Sequence, residues 1–141
     1  MGFFGKFSGQ KDYPALGPGS PAAEQLVNIQ ATLETLVDKI PDKLEIVPAS
    51  DAAYVFIGKP PKKFGIAWIE DGEIKNLQTV AKEMGIEPAT LVGISEDLRS
   101  AYEKNLDAER FVTVVGGKSV IVTPCNELKI EVENIINKVV H

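Results

Sequence analysis

The first regular pattern of apolar residues along the chain has the period of a helix. Between Ser20 and Pro41, apolar residues recur at steps of three and four, a spacing that places them on one helical face. They are Leu26, Ile29, Leu33, Leu36, Val37 and Ile40. Ser20 suits the N-cap, Pro21 suits the first helical position, and Pro41 helps to end the helix. The pattern predicts one amphipathic helix over residues 21–40.

Short apolar runs, typical of strands, occupy the middle of the chain and return near its end. Asp71-Gly72 best tolerates the backbone of a two-residue hairpin turn, and Gly116-Gly117 separates two β-branched runs in the same way. The prolines at 60 and 61 belong in a further turn, because proline cannot donate to a strand ladder. The predicted strands are residues 44–47, 53–58, 64–70, 73–75, 111–115 and 119–123.

Capping residues predict three more helices. Asn76 and Ser95 are candidate N-caps of two middle helices, and Gly85 ends the first of these. Thr123 and Pro124 begin a last helix that is apolar on one side. Hairpins dominate this order of elements. We therefore predict an α+β fold with a mostly antiparallel sheet of about 4–6 strands, packed with N-terminal, middle and C-terminal helices.

Two of the predicted strands do not alternate between apolar and polar residues. Residues 53–57 and 120–122 consist of apolar and aromatic residues only. A sheet with one solvated face shows alternation, so both faces of these strands need a cover. Helices of the same chain or a second copy of the chain would supply it. A homodimer, the commonest assembly for such a surface, is part of the prediction.

Composition indicates a globular protein. The chain has 141 residues, of which 44% are hydrophobic and 25% charged, values typical of one domain with its own core. The formal net charge of -5 disfavours binding to nucleic acid. The apolar runs are far shorter than the ~20 residues of a transmembrane helix. With one cysteine and no leader pattern, we predict a cytoplasmic protein.

The N-terminal stretch differs from the rest of the chain. Residues 1–20 are rich in glycine and proline and are predicted to form a flexible arm ahead of a single globular domain, residues 21–141. Phe3 and Phe4 lie close to Lys6 in this arm. They are candidates for contact with a partner protein or for weak contact with a membrane interface.

Gly117, Lys118 and Ser119 have the order in which a Walker A loop ends. The first glycine of that motif is replaced by Val112, and a β-branched run follows where the motif needs a helix. We therefore favour a hairpin turn over a phosphate site, and we predict no cofactor.

Cys125 is the catalytic candidate of the chain. A thiol in the first turn of the last predicted helix would lie near free amide groups and the helix dipole, both of which favour a thiolate. The chain has no second cysteine to resolve a disulfide, and its one histidine is the terminal His141. Packing in the core is the alternative. Zinc binding and serine-histidine catalysis lack the necessary residues as well, so no metal is predicted.

The turn around the two prolines is the strongest candidate for a binding site. Lys59, Lys62 and Lys63 flank the prolines, and Trp68 follows in the next strand. The lysines could hold a phosphate or an acidic partner, and the indole could stack on a ligand. A structural interpretation also exists, because lysine and proline protect strand ends and Trp68 alternates with apolar residues as a core residue does.

Two functional hypotheses follow. The first is a non-catalytic cytoplasmic binding or scaffold domain that self-associates or binds a protein partner, because the usual catalytic residue sets are missing while apolar strand faces are abundant. The alternative is a thiol-dependent enzyme or redox regulator that uses Cys125 at the start of a helix.

Overall fold

The computed structural model describes residues 13–140, which form five helices and one sheet of six strands. The helices are α1 (Pro21–Asn28), α2 (Gln30–Lys39), α3 (Leu77–Glu83), α4 (Pro88–Lys104) and α5 (Asn126–Val140). The strands are β1 (Leu44–Ala49), β2 (Ala52–Lys59), β3 (Lys63–Glu70), β4 (Glu73–Asn76), β5 (Phe111–Val115) and β6 (Lys118–Val122).

The sheet is mixed, with the strand order β4-β3-β2-β1-β6-β5. Hairpins join β1 to β2, β2 to β3, β3 to β4 and β5 to β6, so these pairs are antiparallel. The exception is the parallel pair of β1 and β6, where Glu45 lies opposite Ile121 and Ile46 opposite Val122. The predicted α+β fold with a mostly antiparallel sheet is confirmed.

Helices cover both faces of the sheet. On one face, α1 and α2 contribute Leu26, Leu33 and Leu36 to an apolar cluster with strand residues such as Ile46 and Val55. The other face carries a second cluster, in which residues of α3, α4 and α5 meet the alternate strand residues. Its members include Leu77, Leu98 and Leu128 from the helices, and Val47, Phe56 and Trp68 from the strands. The prediction that the inner strands are covered on both sides is confirmed, and helices of the same chain provide the cover.

The helix predicted over residues 21–40 is interrupted once. Ser20 caps α1 as expected, since its side chain accepts a hydrogen bond from the amide of Ala23. At Ile29 the backbone leaves the helical conformation, with φ -121° and ψ 22°, and α2 begins at the next residue. Ile29 is itself buried, so the break keeps the apolar stripe against the sheet.

The predicted helix start at Ser95 is wrong. Asn76 does cap α3, accepting from the amide of Thr79 at 2.8 Å. However, α4 begins at Pro88 and runs through Ser95 to Lys104. Proline suits the first helical turn because its missing N–H has no partner to lose there, and this signal prevails over the serine.

The last helix also begins later than predicted, at Asn126 rather than at Thr123. The reason lies in the sheet. The backbone N–H of Thr123 donates to the carbonyl of Ile46 at 2.8 Å, and its hydroxyl donates to the carboxylate of Glu45. Thr123 therefore continues the parallel pairing of β6 with β1 and is not free to cap a helix.

The described part of the predicted arm contacts the sheet at β5. Val112 donates its amide to the carbonyl of Pro14 and accepts from the amide of Leu16, both at 2.9 Å. Ala15 accordingly forms a parallel bridge with Val112. Within residues 13–140, no helix combines the length and the apolar character needed to cross a membrane.

Candidate functional site

The hairpin between β2 and β3 presents the predicted lysines. The side chains of Lys59, Lys62 and Lys63 are exposed. None of their amino groups has a hydrogen bond or an ion pair with another described residue. The three charges are therefore available to a partner.

Arg99 of α4 fixes this hairpin to the helical layer. Its Nε donates to the carbonyl of Pro61 at 2.7 Å, and its Nη2 donates to the carbonyl of Lys62 at 2.9 Å. The guanidinium carbon lies 5.8 Å from the centre of the Phe64 ring, and Nη1 is paired with Glu96. The lysines are thus carried on an anchored turn.

Beside the hairpin, part of the outer edge of β3 has no strand next to it. β2 pairs with the whole of β3, from Lys63 to Glu70. On the other side, β4 pairs only with the second half, from Ala67 to Glu70. Residues 63–66 therefore carry an unpaired edge among the described strands, and such an edge is a template for another chain.

A groove of about 540 Å³ follows this free edge. Leu36 and Ile40, at the end of α2, line it on one side of the sheet. Phe64, Leu77 and Leu98 line it on the other side, where α3 begins and α4 passes. The groove is consequently lined mainly by apolar residues above and below the plane of the sheet, with the strand edge between and with four polar residues in the lining: Lys39, Asn76, Gln78 and Ser95.

Gly65 forms part of this groove. A Cβ atom placed on it would meet, within 4 Å, only the Cβ of Ile57, at 4.0 Å, and its φ is not positive. Neither packing nor backbone conformation therefore requires glycine here, although glycine in a strand costs roughly 0.5–1 kcal/mol relative to alanine. Glycines inside strands often mark a close approach of a ligand or of another backbone. The missing side chain widens the groove beside the unpaired edge.

Of the other predicted contact residues, the structure describes only Trp68, and it does not place Trp68 at this surface. Trp68 is 1% exposed, because its position on β3 faces α3, α4 and α5. The stacking role considered for Trp68 is thus corrected, since its ring has no surface to offer a ligand. Phe3 and Phe4 lie outside the described residues.

The Gly-Gly-Lys segment is a hairpin turn, as predicted. Gly116 and Gly117 have φ values of 57° and 82°, and they join β5 to β6. The Lys118 amino group donates to the carbonyl of Ile40 at 2.7 Å and to that of Asp42. Lys118 thereby binds carbonyl groups at the end of α2, where a cation is favourable. Its amino group does not point into a loop as the lysine of a phosphate-binding motif does.

Cys125 precedes α5 and does not lie in its first turn, which corrects its predicted place. Its amide donates to the carbonyl of Thr123 at 2.8 Å, and its carbonyl accepts from the amide of Lys129 at 3.0 Å. The half-buried thiol lies 3.5 Å from Oδ1 of Asn105. This amide is neutral and is not a base, so the contact does not activate the thiol.

A buried ionic network that the sequence did not reveal lies beneath the parallel strand pair. Glu45 is 5% exposed and Arg110 is 7% exposed. Arg110 Nε donates to Glu45 Oε2 at 2.9 Å, and the Tyr102 hydroxyl donates to Oε1 at 2.6 Å. Thr123 donates to Oε2 as well, so both carboxylate oxygens are satisfied.

The pKa values of Tyr102 and Arg110 in this network are both shifted upward. Burial, followed by the charge of Glu45, raises the pKa of the Tyr102 hydroxyl above its usual value. Burial alone lowers the pKa of Arg110, but the charges and hydrogen bonds of Glu45 and Tyr102 outweigh it, and the net direction is upward. Tyr102 stays neutral and Arg110 stays charged, so we assign the network a role in stability and not in proton transfer.

In the part of the chain that the structure describes, no group of three or more His, Cys, Asp or Glu side chains could hold a metal ion. Comparisons with models of known protein families, with curated proteins and with solved structures give no match.

Proposed function

We propose that this protein is a non-catalytic binding domain that takes up an extended segment of a partner protein as an additional strand beside β3. The observation that carries the proposal is the unpaired edge of residues 63–66 inside an apolar groove. Main-chain hydrogen bonds along such an edge supply affinity, and pockets for alternate side chains supply specificity.

The groove matches the side-chain pattern of an incoming strand. Successive residues of a strand point to opposite faces of the sheet. A segment beside β3 would therefore place one set of side chains against Leu36 and Ile40 and the other set against Phe64 and Leu98. Gly65 leaves room on the side of α2. A small apolar molecule would contact the apolar walls but would not hydrogen-bond to the main chain of the strand edge. A polypeptide can do both, so the unpaired edge favours a polypeptide.

Self-association is not needed to cover this sheet, because helices lie on both faces. We therefore assign the groove to a different protein and retain a cytoplasmic location as part of the proposal. The thiol hypothesis has weaker support, since Cys125 contacts a neutral amide and lines neither wall of the groove.

Replacing Gly65 with valine tests the proposal. The valine side chain would occupy the groove beside the free edge, and branched residues suit strands. We expect the stability to be unchanged or to rise by up to about 1 kcal/mol. Affinity for short extended peptides with alternating apolar residues, selected from a displayed library on the wild-type protein, should fall about tenfold or more, which corresponds to roughly 1.4 kcal/mol.

The matched control is G93A. Gly93 is an exposed glycine of α4, has no heavy atom within 4 Å of an added Cβ, and does not line the groove. G93A should keep full peptide binding.

Hydrogen exchange supplies a second readout, because a bound strand should slow the exchange of amides within residues 63–66. A library that yields no binder, or equal binding by G65V and wild type, would refute the proposal. A dimer that dissociates in G65V would refute the assignment to a different protein.

A further inference from the structure

The charges around the groove point to the chemistry of the partner, provided that the strand-binding function proposed above is correct. We infer that the segment taken up beside β3 is acidic, with carboxylate side chains flanking its alternating apolar residues. Lys39 lines the groove, and Lys59, Lys62 and Lys63 lie on the adjoining hairpin. No Asp or Glu is among the described residues that line it.

Several other lysines of the chain have a partner for their amino group, and these four do not have one among the described residues. Lys75 is within 4.0 Å of carboxylates of Glu70 and Glu73, Lys104 pairs with Glu131, and Lys118 binds backbone carbonyls. Lys39 and the three hairpin lysines have no such partner among residues 13–140, and all four are exposed. Their charges are therefore not used by the described fold.

The net negative charge of the chain means that an acidic segment is attracted mainly to this local group of lysines. The chain has a formal net charge of -5, so an acidic segment is disfavoured elsewhere on the surface and attracted to the lysine-rich end of the groove. Complementary charges of this kind guide association and set the register of a bound segment. The N-terminal residues 1–12 of a second copy fit poorly, because they carry Lys6 and Lys11 against a single acid, Asp12.

Three peptides with the same alternating apolar residues and with acidic, neutral or basic flanks test the inference. We expect the acidic peptide to bind about tenfold more tightly than the neutral one at low salt. The difference should shrink as salt is raised, since the Debye length falls from ~10 Å at 0.1 M to ~3 Å at 1 M. The basic peptide should bind most weakly. Calorimetry or fluorescence anisotropy would measure these affinities.

The variant K39Q/K59Q/K62Q/K63Q should lose the preference for the acidic peptide while still binding the neutral peptide. The control K82Q/K104Q/K129Q/K138Q removes the same number of charges at residues that do not line the groove, and it should keep the preference. If acidic and neutral peptides bind equally, or if both quadruple variants lose the preference alike, the inference fails while strand binding stands. If none of the three peptides binds the wild-type protein, the proposed function itself fails.

Discussion

Replacing Arg110 with methionine is expected to lower the free energy of unfolding by about 3–5 kcal/mol, the usual result of removing one partner from a buried ion pair. The reason is that the Glu45 carboxylate, 5% exposed, would keep two hydroxyl donors but lose Arg110, its charged partner among residues 13–140. Urea unfolding followed by circular dichroism would measure the change.

An exposed ion pair supplies the control. Lys104 and Glu131 lie 3.5 Å apart, and the lysine side chain is 67% exposed. K104M removes the same kind of charge, yet it should cost less than about 1 kcal/mol because water screens the pair. The double variant E45L/R110M should recover part of the loss, since no unpaired charge remains in the core. Equal effects of R110M and K104M would show that burial of the Glu45 pair contributes little.

The two-sided core was predictable from the sequence because it follows from local composition. A strand of successive apolar residues, such as residues 53–57, needs cover on both faces wherever it lies in the sheet. What the pattern left open was the source of the cover. Two helical layers of the same chain contribute apolar residues on the two faces.

The ionic network was hidden because its members are distant in the chain. Glu45 stands alone among apolar residues in β1, a signal that a buried charge requires a partner. The sequence does not identify that partner, since Arg110 is 65 residues away. The hydroxyl of Thr123 also binds the Glu45 carboxylate. This contact, which the sequence does not reveal, explains why the last helix begins after Thr123 and not at it.

The candidate site could be predicted in part. The lysine hairpin follows from its prolines and its place between two strands, but its anchor, Arg99, is 38 residues beyond Pro61. The strand predicted over residues 64–70 is longer than the strand predicted over residues 73–75, so the second strand cannot pair with the whole of the first. Whether this edge is free depends on strand order, and only the structure places β3 between β2 and the shorter β4. Gly65, in the middle of a predicted strand, is a local feature of the sequence that is typical of a close approach by another backbone.

Raising the pH above about 10 is expected to destabilise the protein steeply, because two buried tyrosines resist ionisation only while the chain is folded. Burial, followed by the charge of Glu133, raises the pKa of Tyr54, whose hydroxyl lies 3.4 Å from Glu133 Oε2. Burial, followed by the charge of Glu45, raises the pKa of Tyr102 in the same direction. Both groups would ionise near pH 10 in the unfolded chain.

The sign of the effect follows from proton binding. Above pH 10 the unfolded chain loses the two tyrosine protons while the folded chain keeps them, so unfolding releases protons and becomes more favourable as the pH rises. The stabilisation is complete below pH 10 and is lost progressively up to the folded pKa values. Each tyrosine contributes a slope of about 1.4 kcal/mol per pH unit in this window.

Urea unfolding at a series of pH values, combined with the ultraviolet absorbance of phenolate, would measure this loss. Lysines also titrate in this range, so the comparison is with the variant Y54F/Y102F, which keeps every lysine. Its slope should be shallower than that of the wild type by up to about 2.7 kcal/mol per pH unit, the sum of two tyrosines. Y54F and Y102F singly should each remove about half of the difference, because the two hydroxyls pair with different carboxylates. Parallel slopes for the wild type and the double variant would mean that both hydroxyls ionise at the same pH in the folded and in the unfolded chain, so that neither burial nor the carboxylates of Glu133 and Glu45 raise their pKa values.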